Sequence, residues 1–483
     1  MVDRMGGPLV VGVDSSTQST KAEVRRLDSG ERVGLGRAHH PTTSPPRSEQ
    51  APRAWWTALV DAVGQLGDLR RDVVAISVAG QQHGLVVTDS EGTPLRKAKL
   101  WNDTESAPQA VALVSELGAE VWAEQCGSVP VAAFTVTKLA WLVETQPDLV
   151  ARIGAVGLPH DWLTRKLCGR HVSDRGDASG TGWYDAAALA PGAGVRRELI
   201  AAAVRRAPGE LADPAHWSAL LPEVLSPGEA AGTILPAVAA ELGLPEAVLV
   251  GPGTGDNMAA ALGLGLEVGD VAFSLGTSGT VYSVAESRTS DASGAVAGFA
   301  DASGRFLPLV CTLNATKVTD TVARWLGVGP DEMAELALRA DPGDPRRPVL
   351  VPYFDGERTP DLPDATGSLT GLRNDSSRES IALAAHDGVL KGLVGGRDAL
   401  RAAGVPADGR VFLVGGGARS AAYRTRLAEL LGTEVRVPDE DESVAAGAAV
   451  QAAVVAGGGE GPDPFGSVAR RWHLGTGTDV APR

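Results

Sequence analysis

Residues 9–25 read Leu9-Val10-Val11-Gly12-Val13-Asp14-Ser15-Ser16-Thr17-Gln18-Ser19-Thr20-Lys21-Ala22-Glu23-Val24-Arg25. Leu9–Val13 is a compact apolar run, and Lys21–Arg25 resumes after a turn rich in Ser and Thr. The stretch is therefore predicted to be a β-hairpin. Successive small residues in the turn let backbone N–H groups converge on an anion, and the hydroxyls add donors. Asp14, at the strand end, is placed to hold Mg²⁺, which is usually bound through one or two carboxylates together with water and phosphate. An ordinary hydrophilic hairpin turn has the same composition, so both readings stand at this point.

The layout recurs further along the chain. Val271–Leu275 is predicted to be a strand, Gly276-Thr277-Ser278-Gly279 a turn, and Thr280–Val284 the return strand. Val411–Val414 runs into Gly415-Gly416-Gly417-Ala418-Arg419-Ser420 and then a helix through Leu431, an arrangement that can receive the phosphates or adenosine of a nucleotide. Neither a GxGxxG fingerprint nor a GxxxxGK[ST] loop is present. Between these turns, Val73–Val78 and Leu85–Val87 flank Ala79-Gly80-Gln81-Gln82-His83-Gly84, and Pro52–Gly67 has helical spacing. Val248–Val250 leads into Gly251-Pro252-Gly253-Thr254-Gly255-Asp256-Asn257 and an alanine-rich helix. Two α/β domains of similar plan are expected, residues 1–247 and 248–483, facing each other across a cleft, where small ligands usually bind.

Three features on this framework carry chemistry. Asp256 is either a helix N-cap or a general base, since kinases use an aspartate to accept the proton of an attacking hydroxyl. His83 either hydrogen-bonds a polyol or is a satisfied histidine of the surface or core. Trp101-Asn102-Asp103 sets an aromatic platform beside two polar groups, which suits a sugar and equally a packed loop.

Composition removes other classes. The chain has 483 residues, 43% hydrophobic and 21% charged, with 60 Gly and 31 Pro, which excludes disordered and fibrous readings. A net charge of −15 disfavours binding to nucleic acid phosphates. The three cysteines, Cys126, Cys168 and Cys311, lie far apart and suit buried thiols in a reducing compartment. Val444–Gly459 is too short and too weakly apolar to span a bilayer, and is predicted to be a buried helix. A cytoplasmic protein is expected.

Taken together, the motifs resemble the FGGY carbohydrate kinases over nearly the whole chain. Gly12–Lys21 matches that family's first phosphate loop, and Glu49-Gln50-Ala51-Pro52 with Trp55-Trp56 a stretch that follows it. Gly80-Gln81-Gln82-His83-Gly84 and Leu100-Trp101-Asn102-Asp103 match its sugar-side turns, and Asp174–Gly180 a further segment. Gly253-Thr254-Gly255-Asp256-Asn257 carries its catalytic aspartate.

The resemblance implies two lobes of a duplicated ribonuclease-H-like, actin-type α/β fold. It implies ATP and Mg²⁺ as cofactors, with Asp14 at the metal. ATP is expected at Ser16, Thr17, Gln18, Ser19, Lys21, Gly276, Thr277, Ser278, Gly416, Gly417 and Ala418. The sugar is expected at Gln82, His83, Trp101, Asn102, Asp103, Asp256 and Asn257, with D-xylulose first and ribulose, gluconate or glycerol as alternatives. Partners are then the sugar and ATP, with neither nucleic acid nor membrane, and a homodimer as the oligomer to test. A non-catalytic nucleotide switch of the actin or chaperone type is the rival from another class, and it has no use for a sugar-side constellation.

Two departures fall on the sugar side. Gln82 stands where the family usually has methionine, and Thr104-Glu105-Ser106 lacks its common arginine. Asp256, with an ordinary pKa of about 3.9 and a helix N-terminus beneath it, is expected to be ionised at neutral pH.

Overall fold

The computed structural model describes residues 7–188 and 192–483. The opening hairpin forms as its sequence predicts. β1 (Leu9–Ser15) pairs antiparallel with β2 (Ser19–Arg26), Asp14 lies opposite Lys21, and β3 (Arg32–His39) extends the ribbon. β1 is buried along its whole length, which suits its unbroken apolar run, because a strand covered on both faces needs no polar alternation. On its other side β1 pairs in parallel with β4 (Val73–Gly80). The helix α1 (Pro52–Gly64) starts on a proline and lays Trp55, Leu59 and Val63 against the sheet. β5 (Gly232–Thr233), β6 (Leu249–Val250) and β7 (Thr254–Gly255) complete seven strands in the order β5-β6-β4-β1-β2-β3, with β7 also on β4.

That last pairing moves the expected boundary. Residues 249–250 and 254–255 bond to β4 in the first sheet, so the chain from 248 closes this sheet and does not open the second. The second sheet begins at β8 (Val271–Leu275) and adds β9 (Gly279–Ser283), β10 (Ala297–Ala300), β11 (Phe306–Thr312), β12 (Val411–Val414), β13 (Val435–Pro438) and β14 (Gly477–Val480). Its order is β10-β11-β9-β8-β12-β13-β14. The duplication is visible strand by strand. Three antiparallel strands (β1, β2, β3 or β8, β9, β11) continue into two parallel ones (β4, β6 or β12, β13) and end in an antiparallel edge.

Each sheet has its own core, Val11, Val13, Ile76 and Val78 in the first, Phe273, Leu275, Val281 and Leu413 in the second. A third cluster, with Val10, Met258, Ala449, Phe412 and Trp472, joins them. Its centre is α3 (Ser443–Val455), the buried helix predicted from Val444–Gly459, which packs on β1, β4 and α2 (Asp256–Gly263). Small residues allow backbone contact there. A Cβ on Gly447 would lie 1.7 Å from the Ala259 carbonyl oxygen, and one on Gly263 1.9 Å from that of Ser443. Glu440, Asp441 and Glu442, just before α3, pair with Arg25, Arg32, Arg37 and Lys21 of β2 and β3.

Gly447→Ala is therefore expected to destabilise the fold by at least the usual overpacking cost of about 1–3 kcal/mol, because the obstacle is backbone and cannot rotate away. Thermal melting checks this, and an unchanged midpoint would show that the helices separate freely. Among the described residues no helix is long and apolar enough to cross a membrane.

Candidate active site

The register of the first sheet collects the candidate residues. Asp14 pairs with Ala79 and Ser15 with Gly80 on one side of β4, while Thr254 and Gly255 pair with the same two residues on the other. These three strands run parallel, so Asp14, the turn from Gln81 to Gly84 and Asp256 all emerge at their carboxyl ends, where open α/β sheets bind ligands.

Asp256 is the first residue of α2, and Gly255 occupies the N-cap position, so the aspartate is not the cap. Its Oδ1 accepts from the Asn257 backbone N–H at 2.9 Å and from Asn257 Nδ2 at 3.0 Å. Asn257 Nδ2 also donates to Gln82 Oε1 at 2.5 Å, and Thr280 Oγ1 donates to Asn257 Oδ1 at 3.4 Å. Asn257 thus ties the sugar-side turn, the aspartate and β9 of the second sheet into one string. Gln82, the departure from the family pattern, uses its added polarity here.

Asp256 is half-buried at this position. Loss of solvent, then the charges of Asp14 and Asp177, push its carboxyl up to about 8 from an ordinary 3.8. This overturns the expectation that the helix N-terminus keeps it ionised. A helix terminus supplies about 0.3–1 kcal/mol, less than one pKa unit at about 1.36 kcal/mol per unit. Burial beside two carboxyls outweighs it.

His83 is buried and sits in the left-handed backbone region, with φ of 60°. Its ring stacks on Phe134 at 5.4 Å and leans on Phe299 at 4.9 Å, while Nδ1 bonds Asp177 Oδ1 at 3.0 Å. Burial, then the nearby cations Arg358 and Lys138, hold its pKa well below the usual histidine range. The ring is therefore neutral, and with Nδ1 engaged, Nε2 is left to meet a ligand hydroxyl. A non-glycine residue in this conformation costs of order 1–3 kcal/mol and persists where the surroundings enforce it. Here two aromatic rings and a carboxyl do so.

The loop from Trp101 to Asp103 divides. Trp101 is half-buried, and its indole N–H donates to Thr17 Oγ1 at 3.0 Å, joining the sugar-side platform to the first turn. Asn102 keeps a buried Oδ1 without a partner. Asp103, expected at the sugar, has no exposed surface and both oxygens are occupied: Oδ2 by Ser48 N–H at 2.8 Å, Oδ1 by Lys99 Nζ at 2.8 Å and Glu105 N–H at 3.1 Å. It braces the loop. Glu49, Asp103 and Glu105 converge as metal ligands do, yet Lys99 lies among all three, so the cluster is an ion-pair network.

On the phosphate side, Asp14 is buried with Oδ2 held by Lys21 Nζ at 3.2 Å, while Oδ1 has no partner. Lys21 also reaches Glu442 at 2.5 Å. An orphaned carboxylate oxygen suits a hard divalent cation, which takes oxygen ligands. Within the first turn, Ser16 Oγ donates to the Ser19 carbonyl at 3.3 Å and Thr17 Oγ1 to Gln81 Oε1 at 3.1 Å, while Gln18 is exposed. Thr17 is therefore spent on anchoring Trp101 and Gln81 and is not a free donor. Gly276, Thr277 and Ser278 turn between β8 and β9, and the Gly276 carbonyl accepts from Thr316 N–H at 3.0 Å. Gly416–Arg419 forms one 3₁₀ turn after β12, with Gly416 exposed and Gly417 and Ala418 buried against Leu275 and its surroundings.

Two participants escaped the sequence reading. Asp177 lies within the segment 174–180, but nothing in residue type separates it from Asp174. Thr280 reads as an ordinary strand residue, and only its approach to Asn257 gives it a place here.

Comparison with known proteins shows what the whole chain is similar to. The N-terminal domain model of the FGGY family of carbohydrate kinases matches residues 9–263, and its C-terminal domain model matches residues 271–456. The chain is 47% identical over 474 residues to the xylulose kinase of Streptomyces coelicolor, covering 98% of this chain and 92% of that one. The structure resembles the xylulose kinase of Bifidobacterium adolescentis with a TM-score of 0.83 at 41% identity, over 97% of this chain and 99% of that one. A glycerol kinase from Plasmodium falciparum shares the fold, with a TM-score of 0.84 at 18% identity over 100% of this chain and 95% of that one.

Proposed function

Because this chain belongs to the FGGY family of carbohydrate kinases, we propose that it transfers the γ-phosphoryl group of ATP to D-xylulose, giving D-xylulose 5-phosphate. The relatives similar over nearly its whole length are xylulose kinases. The observation that carries the reading is the hydrogen-bonded string Gln82–Asn257–Asp256. It stands at the end of β4, with the turn Gly276–Gly279 one contact away through Thr280.

The chemistry follows from these groups. Asp256, in its ionised form, takes the proton of the primary hydroxyl, and that oxygen attacks the γ-phosphorus in line as ADP leaves. His83 accepts a sugar hydroxyl at Nε2, while Gln82, Asn257 and Trp101 enclose the remaining sugar. The first turn, Gly276–Ser278 and Gly416–Ala418 are assigned to the phosphates, where preformed donors stabilise developing charge; the N–H groups of Ser16, Gly276 and Ala418 are used within the turns themselves. Asp14 would hold Mg²⁺, which when bound supplies positive charge beside the transferred group. The cytoplasm is the compartment in which ATP and a reducing environment for three buried thiols meet. The homodimer rests on the family resemblance, and light scattering tests it.

A coupled ADP-release assay across D-xylulose, ribulose, gluconate and glycerol tests the substrate. D-xylulose is expected to give the highest kcat/KM and glycerol a poor one, because a site built to bond hydroxyls rejects analogues lacking them. A tenfold preference for glycerol or gluconate overturns the assignment.

A further inference from the structure

Behind His83 lies a buried cluster that phosphoryl transfer does not use. His160 is the second residue of the helix Pro159–Cys168 and has no exposed surface. Its Nε2 lies 3.3 Å from Asp161 Oδ1, 3.5 Å from Asp174 Oδ1 and 3.6 Å from Asp177 Oδ2.

The acids reach outward in different directions. Asp161 Oδ2 accepts from the Leu158 N–H at 2.7 Å and fixes the start of that helix. Asp174 caps the turn Arg175–Ala178 and accepts from Thr254 Oγ1 at 2.7 Å, two residues before Asp256. Asp177 holds His83. Residue 160 also fills the space above two glycines, with its backbone and Cβ at one and its ring at the other. A Cβ on Gly80 would meet the His160 backbone and Cβ at 3.0 Å, and one on Gly253, whose φ is +78°, would lie 2.6 Å from Nδ1. Gly80 directly precedes Gln81-Gln82-His83, and Gly253 directly precedes Thr254-Gly255-Asp256. His160 therefore abuts both segments that carry the site, Gly80 by its backbone and Cβ and Gly253 by its ring, and its Nε2 faces the acids that brace them.

From this juxtaposition we infer that His160 is a positioning residue. Through Asp177 it sets the orientation of His83 toward the sugar, and through Asp174, Thr254 and its contact with Gly253 it sets the strand that delivers Asp256. The physical reason is the company of three carboxyls in a dry interior. The ring nitrogens make no hydrogen bond there, so the hold acts through proximity: without the imidazole among them the carboxyls must take up protons or move apart, and either changes what Asp177 presents to His83. The inference rests on the reading that His83 and Asp256 meet the sugar.

The test uses the full chain with His160→Leu, which keeps bulk without polarity, and His160→Asn, which keeps a donor. Misplacement by about 1 Å can cost about 10²-fold, so His160→Leu is expected to lower kcat/KM for the sugar roughly 10- to 100-fold. His160→Asn should lose less, and the KM for ATP should hold. Variants that melt lower yet keep kcat and both KM values overturn the inference, because packing alone would do that. A cycle with His83→Asn separates the two readings. If His160 acts through His83, adding His160→Leu to His83→Asn should raise the sugar KM by less than about twofold more. Multiplicative effects overturn the link, whereas a normal sugar KM for His83→Asn alone overturns the site assignment beneath it. If His160→Leu does not fold, the cycle of His160→Asn with Asp177→Asn carries the test, non-multiplicative effects on sugar KM supporting the inference and multiplicative ones overturning it.

Discussion

Asp256→Asn is expected to lower kcat by about 10²- to 10⁴-fold, the range a general base supplies, while leaving a protein that melts no lower than its parent. Asparagine matches the aspartate in size, can keep the contact with Asn257, and removes only the proton acceptor. The nucleotide turns, anchored by Thr316 and Leu275, are untouched, so the KM for ATP should stay. The stability half of the prediction follows from the raised carboxyl. Folded Asp256 holds its proton up to about 8, whereas in the unfolded chain it releases it near 4. Between these values the folded state binds the extra proton, so this residue's contribution to stability falls as pH rises through the window. Without ligands, Asp256→Asn should therefore melt above the parent at pH 9 and level with it near pH 4. Melting curves at both pH values, with kcat beside them, decide the matter. A variant that keeps more than about a tenth of parental kcat removes Asp256 from the chemistry. One that melts lower at pH 9 shows that burial does not strain this carboxyl.

Gly180→Ala should nearly abolish sugar recognition without touching a proton-transfer group. A Cβ there would lie 1.9 Å from His83 Cε1 and 2.0 Å from Nδ1. The ring cannot yield in place, since Phe134 and Phe299 cover it. It must swing away, which breaks the bond to Asp177 and withdraws Nε2. We expect kcat/KM for the sugar to fall about 10²-fold, the scale of a displacement near 1 Å, with the KM for ATP unchanged. Overpacking should also cost about 1–3 kcal/mol of stability. Adding His83→Ala makes room for the new methyl, so the double variant should recover melting temperature while staying inactive on the sugar. A normal sugar KM for Gly180→Ala would place His83 outside the site.

Much of the fold is legible in the chain because its signals are local. The run Leu9–Val13, the small polar turn and the return at Lys21 specify a hairpin from adjacent residues, and the same grammar repeats at Val271–Thr280. The glycines after Val414 mark a strand-to-turn transition wherever they occur, and Val444–Val455, apolar on every side, can only be a buried helix. The phosphate turns, and Gln82, His83, Asp256 and Asn257 as sugar-side candidates, follow from such signals and from likeness to a family.

What the chain could not disclose depends on partners far away in sequence. Leu249–Val250 reads as a strand, but alternation and apolarity do not say which sheet accepts it, and the free edge of β4 decided that. Asp103 looks like a sugar ligand until Ser48, Lys99 and Glu105 take up its oxygens. The charge state of Asp256 departs from the sequence expectation because a helix terminus is visible in sequence, whereas Asp14 and Asp177 arrive only through tertiary packing. Asp177 and His160 carry no signal in the sequence for the same reason, since a buried polar cluster has no period and no spacing. Local propensity and pattern are properties of neighbouring residues and survive in one dimension. Desolvation, charge proximity and the occupation of hydrogen-bonding groups are set by what folding brings near, and for this protein they determine which candidate residues are free to act.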